Sequence, residues 1–207
     1  MENIRAWISR RRVTFGLALF FTLWFGLELI VYTRFGLETA EYWFYWEKDR
    51  FLTSFDPGLV LSPISHELDN FKHILGNVLF LVFAGSVVET EVKESDVFLL
   101  VVGFAYLSTL IANITAPIHE VWGIVGASGG IYSLISYGGA MVILDDRELS
   151  EGDFIYSVSR LILVLIAAYA LLSELKGGGN IAHIVGWFCG LIFYMMRYSK
   201  PIEYSWR

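Results

Sequence analysis

Long apolar segments separated by short polar ones make up most of the chain. Each segment holds about the 20 residues that a helix rising ~1.5 Å per residue needs to cross ~30 Å of hydrocarbon. The segments cover residues 13–33, 73–92, 96–117, 121–144, 157–175 and 181–198. The pattern predicts an all-α membrane protein in which six transmembrane helices form one domain over residues 1–207.

The composition agrees with this fold class. The 207 residues are 56% hydrophobic and 17% charged, whereas a soluble domain carries about 25% charged residues. The net charge of −6 comes from acidic loops, and no segment is basic enough to bind nucleic acid. The single cysteine, Cys189, excludes an intrachain disulfide. We therefore expect the lipid bilayer as a partner and no nucleic acid.

The Lys and Arg residues indicate the orientation of the chain in the membrane. With the N terminus inside, ten of the 15 basic residues lie on the inner side and five on the outer side. This bias predicts a multi-pass protein with both termini in the cytoplasm, and we expect the plasma membrane of a prokaryote. The second, fourth and sixth segments then enter the membrane from its outer face.

Polar residues lie early in these three segments, which brings them to one depth near the outer leaflet. They are His73 and Asn77 in the second segment, Ser128 in the fourth and His183 in the sixth. An unpaired polar group in hydrocarbon costs several kcal/mol, so these side chains are expected to meet inside the bundle. A hydroxyl beside an imidazole suits a serine nucleophile and its base, which predicts an enzyme rather than a pore.

The spacing of these residues assigns them to faces of their helices. Two pairs lie four positions apart and therefore on one face: His73 with Asn77, and Ser128 with Tyr132. In the sixth segment, Gly186 and Gly190 follow His183 at three and seven positions. Small residues at this spacing form a groove that another helix backbone can approach closely. Close contact between the fourth and sixth helices is therefore predicted.

Three short motifs thus follow one another on the second, fourth and sixth segments. They are His73-x-x-x-Asn77, then Gly126-Ala127-Ser128-Gly129 with Tyr132, then Ala182-His183 with Gly186 and Gly190. Together they resemble the rhomboid family of intramembrane serine proteases, over roughly residues 13–198. The resemblance implies a six-transmembrane-helix rhomboid-type bundle.

The resemblance also implies an activity and roles for the residues. The expected function is a serine endopeptidase that cleaves transmembrane segments of membrane proteins, with Ser128 as nucleophile and His183 as general base. This is a dyad without a carboxylate, and no Asp or Glu is adjacent to either residue in sequence. Tyr132 would pack on the imidazole, while His73, Asn77 and the Ser128 backbone N–H would form the oxyanion hole. No cofactor and no metal are implied, because the dyad and its donors suffice for acyl transfer.

Other functions remain as alternatives or are disfavoured. A catalytically silent relative that binds membrane helices is the main alternative, but it predicts a missing nucleophile or base. A zinc protease would need a second histidine after His66-Glu67 or His119-Glu120. An aspartyl protease would need two separated intramembrane aspartates, whereas Asp145 and Asp146 are adjacent. The sequence assigns no role to Glu28 or His66, and it specifies neither a natural substrate nor an oligomeric state.

Overall fold

The computed structural model describes residues 4–47, 50, 54–115, 125–144, 154–176 and 180–198. His119, Asp145 and Asp146 lie outside the described residues. Within those ranges the chain folds into helices and carries no β-strand. The helices are α1 (Ile4–Ser9), α2 (Arg12–Phe35), α3 (Leu37–Phe44), α4 (Gly58–Leu61), α5 (Phe71–Val88), α6 (Glu94–Thr115), α7 (Ser128–Leu144), α8 (Phe154–Lys176) and α9 (Ile181–Tyr198). Within α6 the stretch Leu99–Gly103 is π-helical.

Four of these helices are long and apolar enough to cross a membrane. They are α2, α5, α6 and the part of α8 from Ser157 to Lys176. Two further apolar helices, α7 and the part of α9 from Ile181 to Arg197, are shorter. The prediction of a helical membrane bundle is confirmed, while the number of six crossings stays a prediction.

The fourth predicted segment, 121–144, begins earlier than the helix does. Residues 121–124 lie outside the described residues, and residues 125–127 precede α7, which begins at Ser128. Gly126 has φ 127°, a backbone conformation that suits glycine and ends any helical run. The predicted start was wrong because hydropathy does not distinguish an apolar loop from a first helical turn. Ser128 therefore stands at the helix N terminus, where backbone N–H groups lack partners within the helix.

Helix α7 forms the centre of the bundle. Most of its residues are buried, and it packs against α5, α6, α8 and α9. The surrounding helices instead expose apolar side chains, such as Leu23 of α2 at 65% and Leu165 of α8 at 59%. A lipid-facing surface accounts for this exposure, because hydrocarbon solvates leucine as well as a protein interior does.

Glycines bring α7 and α9 into backbone contact. A Cβ added to Gly186 would overlap the carbonyl oxygen of Gly129, and one added to Gly190 would overlap that of Ser133. No side chain fits between the two backbones at these points. The close crossing lets short side chains on the two helices reach each other, as the predicted small-residue groove requires.

Candidate active site

Ser128 and His183 lie in hydrogen-bond contact. The Ser128 Oγ atom is 2.8 Å from Nε2 of His183. Ser128 is the first residue of α7, and His183 is in the first turn of α9. Two polar residues that are 55 positions apart in the chain are thus brought together at one end of the central helix pair. This contact has the geometry of a nucleophile and a general base.

Tyr132 fixes the plane of the imidazole. Its ring lies one turn after Ser128 and stacks on the His183 ring, with centroids 4.2 Å apart and planes 13° apart. The tyrosine hydroxyl donates a hydrogen bond of 3.0 Å to Oε1 of Glu174. The stacked ring therefore restricts rotation of the imidazole while its hydroxyl remains hydrogen-bonded.

A carboxylate lies against the other nitrogen of the imidazole, contrary to the sequence-based expectation. Oε1 of Glu174 is 2.7 Å from Nδ1 of His183, so the expectation that no acidic group accompanies the pair is wrong. Glu174 lies in the last turn of α8, nine residues before His183 on the next helix. The chain reverses between α8 and α9, so the end of α8 with Glu174 lies beside the start of α9 with His183. An acidic residue at the end of an apolar segment was the signal that could have revealed it.

The partners of the imidazole determine where its proton resides. A carboxylate only accepts hydrogen bonds, so the imidazole proton is on Nδ1 and forms a hydrogen bond to Glu174. Nε2 then has a free lone pair, which accepts the Ser128 O–H. Glu174 also accepts the backbone N–H of Asn180 on Oε2, at 2.8 Å. The carboxylate is thereby held by donors from three parts of the chain.

Of the two side chains predicted to form the oxyanion hole, His73 lies beside the start of α7. Nε2 of His73 and Oγ of Ser128 lie 3.3 and 3.4 Å from the point that a Cβ on Gly126 would occupy. Asn77 is one turn further along α5 and is 6% exposed. Within the described part of the chain, its Nδ2 atom has no hydrogen-bond acceptor. The backbone N–H of Gly126 donates to the carbonyl of Ser62, at 2.9 Å, which holds the segment that precedes α7.

Glu28 and His66, to which the sequence assigned no role, form a second buried pair. The backbone N–H of His66 donates to Oε2 of Glu28 at 3.2 Å, which links the loop before α5 to α2. The His66 ring is fully buried and makes edge contacts with the rings of Phe21 and Phe25. Burial lowers the pKa of His66 to about 3, so the ring is neutral at ordinary pH. The pair connects α2 to the loop that leads into α5.

An apolar groove of about 350 Å³ opens beside Tyr132. It lies between α5, α7 and α8, with Phe80, Ile135 and Tyr169 among its lining residues. Ser173, which directly precedes Glu174 in α8, also lines it. The groove therefore reaches Tyr132, whose ring stacks on the imidazole of His183.

Comparisons with known proteins agree with the motifs. The family model of the Rhomboid domain matches residues 58–200, a range that contains every residue of the candidate site. Rhomboid-related protein 2 of Mus musculus is 27% identical over 191 residues, which cover 80% of this chain and 62% of that protein. The chain thus spans less than two thirds of the length of this relative. Because the family model covers more than half of the chain, the protein belongs to the rhomboid family.

Proposed function

We propose that the protein is an intramembrane serine endopeptidase that cleaves transmembrane segments of other membrane proteins. The observation that carries the proposal is the 2.8 Å contact between Oγ of Ser128 and Nε2 of His183. The stacked Tyr132 ring and the buried helix crossing hold this pair in place. A hydroxyl kept beside an unprotonated ring nitrogen is activated for attack on a carbonyl carbon.

The reaction follows from this geometry in two halves. Nε2 of His183 takes the proton of the Ser128 hydroxyl while Oγ bonds to the scissile carbonyl carbon, and the carbonyl electron pair moves onto oxygen. The tetrahedral species collapses when the imidazolium protonates the leaving amine, which yields an acyl-serine. Water, deprotonated by the same imidazole, then attacks the acyl group and releases the second product with regeneration of Ser128.

The developing oxyanion needs hydrogen-bond donors at the start of α7. We assign this role to the Asn77 amide, to Nε2 of His73 and to the backbone N–H of Ser128. The lack of an acceptor for Asn77 Nδ2 among the described residues supports the assignment, because a buried amide donor normally has a partner. The helix N terminus adds a partial positive charge at the same point. Losing one such donor commonly lowers turnover by about 10²–10³-fold.

The substrate class follows from the surroundings of the site. The apolar groove beside Tyr132 matches the side chains of a transmembrane helix and offers few polar groups for a soluble peptide. A substrate helix must unwind locally, since a helical carbonyl is already hydrogen-bonded and shielded. The charge bias along the chain supports a site near the outer leaflet with both termini in the cytoplasm.

The test uses the full chain in detergent or liposomes with a model single-span membrane protein and a fluorophosphonate probe. Wild-type protein should cleave the substrate and become labelled, whereas S128A should lose both activities at an unchanged unfolding temperature. The matched control is S133A, which removes a hydroxyl from the same helix and should retain cleavage. The Ser133 hydroxyl donates to the carbonyl of Leu100 at 2.6 Å and is not hydrogen-bonded to His183.

The same experiment separates the protease from a silent relative. A silent, helix-binding protein would bind the model substrate but show no Ser128-dependent labelling or cleavage. Its defining feature would be a missing nucleophile or base, whereas both side chains are present and in contact here. Equal labelling of wild type and S128A would remove the proposed function.

A further inference from the structure

We propose that Glu174 is a positioning residue that extends the Ser128–His183 pair to a Ser–His–Glu triad, and this inference rests on the proposed function. The observation is the 2.7 Å contact between Oε1 of Glu174 and Nδ1 of His183. Oε1 thus touches the imidazole on the side away from Ser128. The carboxylate does not reach the reacting atoms and acts only through the ring.

The hydrogen bonds of Glu174 show that its carboxylate is held in one position. Oε1 accepts the hydroxyl of Tyr132 at 3.0 Å in addition to the imidazole. Oε2 accepts the backbone N–H of Asn180 at 2.8 Å. Donors from α7, from α9 and from the segment before α9 therefore converge on one side chain of α8. Such an arrangement orients an acceptor before the reaction begins, at no cost during it.

The carboxylate has two effects on the imidazole. It fixes the tautomer with the proton on Nδ1, which leaves Nε2 free to accept from Ser128. It also stabilises the imidazolium that forms when the serine proton is transferred. The proton on Nδ1 stays on the ring throughout. Glu174 therefore remains ionised and accepts the same hydrogen bond before and after the proton transfer from Ser128.

Partial burial strengthens the interaction. The side chains of Glu174 and His183 are only 16% and 18% exposed, so water screens the contact less than it would on an open surface. Tyr132 and His73 are the other titratable groups that face the imidazole. Neither of them carries a negative charge at neutral pH, so Glu174 supplies the only anion in contact with the ring among the described residues.

The test replaces the carboxylate by a neutral amide of the same shape. For E174Q we expect kcat to fall by about 10²–10⁴-fold, as when a triad carboxylate becomes an amide, with KM changed less than about threefold. The acidic limb of the kcat/KM profile should move to lower pH, because a protonated imidazole without its anion loses its proton more readily. The control E94Q removes a carboxylate that pairs with Arg12 on the surface at 2.7 Å, and it should match wild type.

Each outcome decides a different point. Wild-type kcat and an unmoved acidic limb in E174Q would overturn the proposal while leaving the protease intact. A loss of kcat with an unmoved acidic limb would also overturn it, in favour of a role in holding Asn180. Absence of Ser128-dependent cleavage in wild type would instead remove the proposed function itself.

A second variant covers the case in which E174Q does not fold. E174D keeps the charge but withdraws the carboxylate by one methylene group. We expect it to lower kcat by about tenfold or more, because a misplacement near 1 Å is costly in a preorganised site, and to leave the acidic limb closer to that of wild type. A kcat equal to that of wild type in E174D would overturn the proposal.

Discussion

The bundle contains two glutamate–histidine pairs in very different environments. In the first, both ring nitrogens of His183 are hydrogen-bonded, one to Ser128 and one to Glu174, and the side chain is partly exposed. In the second, Glu28 accepts the backbone N–H of His66 and does not bond to its ring. Neither ring nitrogen of His66 has a hydrogen-bond partner among the described residues, and the ring is fully buried.

The contrast between the two pairs shows what a histidine needs for proton transfer. A general base must have a fixed tautomer, a partner for its free nitrogen and access for substrate. His183 has the first two in its contacts and lies beside an open groove. His66 is wedged against phenylalanine rings, so it acts as a flat packing residue. The residue types are the same, and the contacts separate the two roles.

The largest effect on the first pair is expected when α7 and α9 are forced apart, because their close crossing holds His183 beside Ser128. G186A places a Cβ against the carbonyl of Gly129, which forces the helices apart. We expect cleavage to fall by about 10²-fold or more, since a 1 Å misplacement of reacting groups has that effect. G26A is the control, because a Cβ on Gly26 meets nothing within 4 Å. Kinetics on both purified variants check this, and full activity in G186A would show that the crossing does not hold the pair.

The second pair should affect how the free energy of unfolding depends on pH, and it should not affect cleavage. The pKa of His66 is lowered by burial from 6.5 to about 3, so the unfolded chain binds a proton more readily than the folded one. The stabilisation is complete above about pH 6.5 and is lost as the pH falls towards 3, at about 1.4 kcal/mol per pH unit. Unfolding of wild type and H66F over this pH range measures the effect. The slope should be smaller in H66F, and identical slopes would contradict the assignment.

The smallest effect is expected where the side chain of Glu28 is replaced by an amide of the same shape. E28Q keeps an acceptor for the backbone N–H of His66, which now bonds to Glu28 at 3.2 Å. Because that hydrogen bond is kept, cleavage should change by less than about twofold and the free energy of unfolding by no more than about 1 kcal/mol, the net contribution of one hydrogen bond. A loss of activity comparable to that of E174Q would erase the distinction between the two pairs. Parallel cleavage and unfolding assays decide it.

Much of the fold followed from hydropathy and spacing. Apolar runs of about 20 residues indicated the helices. The charge bias, together with the order of the segments, predicted that Ser128 and His183 lie at the same depth in the membrane. The glycines at positions 186 and 190 marked the face on which another backbone could approach. These features depend on local pattern and topology, which a single sequence contains.

Glu174 and the start of α7 did not follow from the same reasoning. A search for acidic residues close in sequence to His183 overlooks a glutamate on the preceding antiparallel helix, whose distance is set by packing. The apolar residues before Ser128 continue the hydropathy of the helix, while the chain turns at Gly126 through a positive φ. Backbone conformation at one glycine has no hydropathic signal.

The shortness of α7 has a consequence for chemical probes. Its 17 residues rise about 25 Å, less than the ~30 Å hydrocarbon layer, so a helix with one end at an interface has its other end a few ångströms below the headgroups. If the C-terminal end of α7 lies at an interface, a reagent aimed at the Ser128 hydroxyl reaches it through the bilayer as well as from bulk solvent. Its apparent potency then depends on its partition coefficient and on the amount of lipid or detergent in the assay, and comparisons of inhibitors are meaningful only at a fixed lipid-to-protein ratio.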